Sequence, residues 1–467
     1  MTILSINPAT EEQLAAFEQF TPEQIEQAIA GAYEAFRAWA ASSFERRSEV
    51  LLQAARYLRR NRERFARLMT VEMGKPIVES EAEVDKCAWI CDYYAENAQR
   101  FLSPEVVQTN ARESYVAYEP LGVVLGIMPW NFPFWQVFRF AVPTLAAGNT
   151  VLLKHASNVP QCSLAVEEVF RESGLPEGAF RSLLVSGSDV AAIIRDRRVR
   201  AVSLTGSSAT GAEVAALSGQ AIKKTVLELG GSDPFIVLAD ADLPAAAEMA
   251  ARARFINSGQ SCIAAKRFIV VREVADEFER LFVNEAARYK VGDPLDRDTR
   301  IGPLARADLR DALEAQVKRT VEQGARVALG GERIGSRGYF YAPTVLTGVS
   351  PDMVAACEET FGPVAAVIRV SDTDEAIRVA NDTPYGLGAN LWTGNIEQAR
   401  QLARRIEAGS VFINGMVASD PRLPFGGVKM SGYGRELSVF GIREFVNIQT
   451  VWIGPAQGPQ MPPPRTE

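Results

Sequence analysis

The stretch GQSC, Gly259 to Cys262, inside INSGQSCIAAKRF, sets a cysteine among small and polar residues ahead of a basic, apolar run. A free cysteine packs as a small hydrophobe by default, but its thiolate is a strong nucleophile wherever the surroundings stabilise it. Gly259, Gln260 and Ser261 let a backbone loop approach a ligand closely, so Cys262 is a candidate for either role. In VLELGGSDPFIV, Glu228 precedes a Gly-Gly pair that breaks an otherwise apolar strand. A carboxylate there is costly to bury unless it is paired or its pKa is raised, and a raised pKa suits a general base. The alternative is a sheet-end glutamate in a salt bridge. In GIMPWNFPFWQVFR, Asn131 sits between two aromatics in a Pro-bounded turn, where a fixed amide can stabilise an oxyanion or simply make the turn.

Two further segments suit a nucleotide. SLTGSSATG, Ser203 to Gly211, runs from a strand through small polar residues into a helix, and helix N-termini after strands bind phosphates. The run VLLK ends at Lys154, with Ser157 and Asn158 before the next helix, where strand-end polar groups face either a nucleotide or solvent.

The chain holds a single histidine, His155. Histidine-rich metal sites are thereby excluded, and any Ser-His or Cys-His catalysis has to rest on that one ring. No metal is expected. Cys87 and Cys91 lie at i and i+4 of a helical pattern without a second pair of ligands, and five cysteines in a long chain argue for reduced thiols rather than a disulfide framework.

These residues need scaffolding, and 467 residues with 47% hydrophobic and 23% charged composition supply it. A net charge of -7 argues against nucleic acid as a partner. The N-terminus lacks the basic start and apolar run of a signal peptide, and no stretch is long and apolar enough to span a membrane, so a cytoplasmic protein without membrane contact is expected. From Thr21 to about Gln99 the pattern is helical, opened by a Thr cap and a first-turn proline. Strand patterns follow at ESYVAYEP, LGVVLGIM, VLLK, SLLVSG and VRAVSLTGS, alternating with helices over 133–147 and 160–173, which predicts a doubly wound parallel sheet. The alternation restarts after residue 229 with FIVL, RFIVV, AAVIRV and GSVFIN, separated by helical runs near 243–256, 275–289, 306–323 and 396–407, a second α/β domain. FVNIQTVWIG alternates like a strand, and a Pro-rich tail after it reads as loose.

In this order, PWNFP at 129–133, LTGSSATG at 204–211, LELGG at 227–231, GQSC at 259–262, EETFGPV at 358–364 and PFGGVKMSGYGRE at 424–436 resemble the aldehyde dehydrogenase superfamily over nearly the whole chain. The resemblance implies two Rossmann-like doubly wound domains plus a small β oligomerisation element. It implies a cofactor-binding domain over 1–101 and 121–229, a catalytic domain over 230–444, and an oligomerisation element and tail over 102–120 and 445–467. It makes Cys262 the nucleophile, Asn131 the oxyanion donor and Glu228 the base that activates water against the thioester. Trp130, Lys154, Ser157, Gly206, Ser207, Ser208, Leu229, Glu359 and Phe361 are implied in the cofactor site. Strictly NAD-using relatives tend to carry Glu at the Ser157 position, where it would repel a 2'-phosphate; Ser157 beside Lys154 favours NADP, or use of both.

The fuller wording, including LLKHAS, FINGMVASD and GRELSVFGIREFVNIQTVW, is most similar to short bacterial succinate-semialdehyde dehydrogenases. By that resemblance Arg139, Trp135 and Ser419 hold the substrate, with Arg139 and Ser419 on its distal carboxylate, and the enzyme is a homodimer or homotetramer. The alternative role for Arg139 is an ion pair on a helix surface. Alternative functions are a dehydrogenase of glutarate semialdehyde or of an aliphatic or aromatic aldehyde, acyl transfer to another acceptor, and a non-catalytic protein on this fold.

Overall fold

The computed structural model describes residues 2–454; the expected loose tail over 455–467 lies outside them. Two mainly parallel sheets organise the chain. The first has six strands in the order Gly432–Tyr433, Lys224–Glu228, Val199–Thr205, Val123–Met128, Thr150–His155, Phe180–Ser182. All pair in parallel except Gly432–Tyr433, which returns from far along the chain to lie antiparallel on Lys224–Glu228 with Gly432 opposite Glu228. Val123–Met128 is buried at every position, as expected of a parallel strand covered by helices on both faces.

From Val123–Met128 the chain winds outward through Thr150–His155 and Phe180–Ser182, then returns to its other side at Val199–Thr205. The crevice beyond Met128 and Thr205 is therefore a topological switch point, where open α/β sheets bind ligands. Both the PWNFP turn and the Gly206–Ser208 turn open there.

The second sheet has seven strands in the order Arg326–Leu329, Thr344–Thr347, Val364–Val370, Arg267–Val271, Pro234–Val237, Gly388–Trp392, Ser410–Ile413, parallel except for the first pair. A three-stranded antiparallel sheet joins Val446–Ile453, Glu113–Pro120 and Glu105–Val106. Helices Pro22–Ala40, Phe44–Arg60, Arg62–Met73 and Ile77–Leu102 fill the expected helical region, with Thr21 and Gln24 forming a capping box at its start. Cys87 and Cys91 are buried in the last of these, and all five cysteines are free.

Two expectations change. SLLVSG does not continue as a strand: pairing ends at Ser182, Phe20 takes the Leu184 carbonyl at 2.9 Å, and Ser186 turns the chain through a capping box with Asp189. The N-terminal residues, read only as polar, form a hairpin of Thr2–Ile6 with Gln13–Glu18. No helix among the described residues is long and apolar enough to cross a membrane.

Candidate active site

The cysteine loop follows helix Leu243–Phe255 and precedes strand Arg267–Val271. Its approach is strained: Asn257 (φ 51°, ψ 40°) and Ser258 (φ 55°, ψ 31°) are left-handed without being glycine, and Gly259 has φ 75°. Such backbone costs about 1–2 kcal/mol per non-glycine residue and persists only where the surroundings over-determine it. Here they do. Glu79 Oε2 accepts the Asn257 N–H at 2.7 Å, Gly302 N–H donates to Ser258 Oγ at 2.9 Å, and buried Arg254 donates to the Gly259 carbonyl at 2.6 Å. A side chain at Gly259 would collide with the Gly362 carbonyl.

Asn131 is locked to the same loop. Its Nδ2 donates to the Gln260 carbonyl at 3.0 Å, while its own carbonyl accepts from Asn257 Nδ2 at 2.6 Å. An amide carries two hydrogens, so the second remains for an oxyanion. Beneath the loop, fully buried Lys266 donates to the carbonyls of Ser261, Cys262 and Ala264 at 3.1, 2.8 and 3.1 Å. Cys262 itself is half-buried. Burial pushes its thiol up to about 12, opposed by the positive charges of Arg139 and Lys266. It is therefore a thiol at neutral pH and needs a base.

Glu228 ends strand Lys224–Glu228, 2% exposed, with neither carboxylate oxygen hydrogen-bonded among the described residues. Burial raises its pKa to about 8, with Arg139 pulling the other way. An unpartnered buried carboxylate with that affinity for protons is suited to accept one, and the salt-bridge alternative is not what the structure holds. Glycine at 426 lets a neighbouring loop pass: a Cβ there would lie 2.8 Å from Glu228 Oε1.

Arg139 sits inside helix Trp135–Ala146, 3% exposed. Its Nε pairs with buried Glu436, Nη2 lies 3.4 Å from Thr205 Oγ1, and the guanidinium covers the Phe425 ring at 4.5 Å. It thus carries a protein counter-ion and is not on the surface. A cavity of about 520 Å³ runs past Arg139, Trp135, Cys262 and Ser419. Ser419 Oγ accepts hydrogen bonds from Trp135 Nε1 at 3.1 Å and from Lys86 at 2.7 Å. Lys86 belongs to no motif, and its place in an amphipathic helix is its only local signal in the sequence.

At the switch-point crevice, Gly206 leads to Ser207, which caps helix Ser208–Gln220 by accepting the Thr210 N–H at 3.2 Å, while Ser208 Oγ donates to the Met430 carbonyl at 3.2 Å. Leu229 is buried behind this turn. Lys154 is the penultimate residue of strand Thr150–His155, half-buried, without an ion pair among the described residues, its pKa lowered by burial. Ser157 is exposed beside it, and both amide atoms of Asn158 are buried without a partner among the described residues. An unpaired cation, a free hydroxyl and an orphaned amide at a strand end fit a phosphorylated nucleotide ribose. Trp130 and Phe361 meet edge-to-face with centroids 5.7 Å apart, and Glu359 accepts the Gly231 N–H at 3.0 Å, 3.7 Å from Lys266.

His155, given no role from sequence, is a bolt. Its Nδ1 accepts the Ala156 N–H at 2.9 Å, so Nε2 carries the hydrogen and donates it to the Pro133 carbonyl at 2.8 Å, pinning the turn that bears Asn131.

The aldehyde dehydrogenase family model matches residues 1–451. The chain is 51% identical to a probable succinate-semialdehyde dehydrogenase [NADP(+)] of Synechocystis, across 97% of this chain and 100% of that one. It is 49% identical to succinate semialdehyde dehydrogenase [NAD(P)+] Sad of Escherichia coli, across 96% and 97%. A crystal structure of succinic semialdehyde dehydrogenase from Streptococcus pyogenes with NADP+ superposes with a TM-score of 0.95 at 40% identity, covering 97% of this chain and 100% of that one.

Proposed function

The chain belongs to the aldehyde dehydrogenase family, and we propose that it oxidises succinate semialdehyde to succinate, with NADP preferred over NAD. The observation that carries the chemistry is the seating of Asn131 on the loop that presents Cys262, with unpartnered Glu228 buried nearby.

In this reading Glu228 takes the proton of the Cys262 thiol, and the thiolate attacks the aldehyde carbon. The free Asn131 hydrogen and the Cys262 main-chain N–H hold the resulting oxyanion. NADP, when bound, would supply the hydride acceptor, and loss of the hydride from the adduct leaves a thioester on Cys262. Glu228 gives up the thiol's proton to solvent, and the carboxylate so restored takes a proton from water, which attacks the thioester and releases the acid. Lys266 keeps the carbonyls of Ser261, Cys262 and Ala264 turned down onto its ammonium, so none of these three opposes the oxyanion. Lys154, Ser157 and Asn158 would hold the ribose phosphate, Ser207 and the helix it caps the pyrophosphate, and Trp130, Glu359 and Phe361 the nicotinamide end.

The domain division belongs to the same reading, with cofactor binding over 1–101 and 121–229 and catalysis over 230–444. The three-stranded sheet exposes Val106, Ile448 and Trp452, which supports a homodimer or homotetramer formed through it, and the protein works in the cytoplasm. Initial rates with succinate semialdehyde and with butanal, an uncharged aldehyde of equal length, each under NADP and NAD, test this. A preference for the acid of about tenfold or more is expected, roughly 1.4 kcal/mol of discrimination; parity with butanal overturns the substrate.

A further inference from the structure

Lys86 stands on helix Ile77–Leu102, half-buried in the wall of the Cys262 cavity, and makes no ion pair among the described residues. The other ionised groups around it are engaged. Glu83 pairs with Lys75 and accepts the Phe134 and Trp135 N–H groups, both at 2.9 Å. Asp420 pairs with Arg422 at 2.6 Å, and Arg139 with Glu436. Arg252 and Arg300 also line the cavity, but both are exposed. Lys86 is therefore the cation in this wall that is withdrawn from solvent and has no counter-ion, an arrangement that is costly unless an anion arrives.

Its contacts define where. The ammonium lies over the Trp135 ring at 4.3 Å and gives one hydrogen to Ser419 Oγ. Ammonium and indole nitrogens only donate, so Ser419 Oγ, accepting from both Lys86 and Trp135, keeps its own hydrogen for a further acceptor. Two ammonium hydrogens and one hydroxyl hydrogen are thus available side by side, a set that suits one carboxylate.

We propose that Lys86 is the residue that reads the substrate's distal carboxylate, with Ser419 as its co-donor and Trp135 as their support. Arg139, already balanced by Glu436, sets the field around Glu228 and Cys262. The inference deepens the proposed succinate-semialdehyde specificity and rests on it. Burial and the nearby Arg139 charge draw the Lys86 pKa down to about 8, which leaves the ammonium in place at neutral pH.

Lys86→Met and Lys86→Arg, assayed with succinate semialdehyde, with butanal, and with succinate as inhibitor of butanal oxidation, test the assignment. For Lys86→Met, kcat/KM on succinate semialdehyde should fall about ten- to a hundredfold, as for a lost charge-assisted hydrogen bond. Butanal turnover should stay within about twofold, which also reports intact folding, and inhibition by succinate should weaken in parallel. Lys86→Arg, which keeps the charge, should retain most of the acid preference. Equal losses on both aldehydes, or undiminished acid preference and succinate inhibition in Lys86→Met, overturn the role. If the wild-type enzyme shows no preference for the acid, the substrate reading falls by itself. Lys86 is then judged on succinate inhibition, which must still weaken in Lys86→Met.

Discussion

Arg139 and Glu436 form an ion pair sealed from solvent beside Glu228, with Arg139 3% and Glu436 4% exposed. Arg139 is the foremost positive charge acting on both Glu228 and Cys262, and Glu436 raises the pKa of Glu228. Removing one member of a buried pair costs about 3–5 kcal/mol because the other charge stays behind uncompensated. Glu436→Gln should lose stability in that range in urea unfolding. Its kcat/KM should also begin to rise at lower pH than in the wild type, since Arg139 then acts on Glu228 unopposed. An unmoved pH profile would show that the pair serves packing alone.

With its pKa near 8, Glu228 is mostly protonated at pH 6 and cannot accept a proton until it ionises. The kcat/KM for butanal, which carries no charge of its own, should climb about tenfold per pH unit between 6 and 7 and level off above about 8. Glu228→Gln should lower kcat by about 10²- to 10⁴-fold, the range of a lost general base, and abolish this limb.

Replacing Asn131 by Ala removes the proposed oxyanion donor and the tie to the Gln260 carbonyl together. A fall in kcat of about 10²- to 10³-fold is expected, with thermal unfolding little changed, because the bond from Asn257 Nδ2 to the main-chain carbonyl of residue 131 survives. Asn131→Asp should do no better, since a carboxylate facing the Gln260 carbonyl repels it.

Ser157 is exposed beside Lys154, which makes no ion pair among the described residues. Ser157→Glu puts a carboxylate where the 2'-phosphate of NADP would lie, and it can accept from the ribose hydroxyls of NAD instead. The ratio of kcat/KM with NADP to that with NAD should drop about tenfold or more, while the ratio of acid to uncharged aldehyde stays put.

Burial holds His155 near a pKa of about 4 against an ordinary 6.5, so the unfolded chain binds the extra proton between these values. Its contribution is complete above pH 6.5 and is lost as pH falls toward 4, at most about 3 kcal/mol at 1.36 kcal/mol per unit. Urea midpoints measured across that window should fall more steeply for the wild type than for His155→Gln.

The alternation of buried strands and amphipathic helices is a local property, and it made both parallel-sheet units legible from residue types alone. Glu228 stood out for the same reason, a carboxylate in an apolar run. Cys262 and Asn131 were ambiguous until the order of motifs along the chain was read as a family pattern. What local pattern could not carry is which distant groups meet. That Gly432–Tyr433 returns to the first sheet, that Glu436 neutralises Arg139, and that Lys86 reaches Ser419 across 333 positions of sequence are matters of tertiary packing. Charge availability depends on partners and desolvation, and both are set by neighbours remote in sequence. The sequence thus determined the chemistry that the chain can perform. The fold decided which arginine is already answered and which lysine is left without a counter-ion among the described residues.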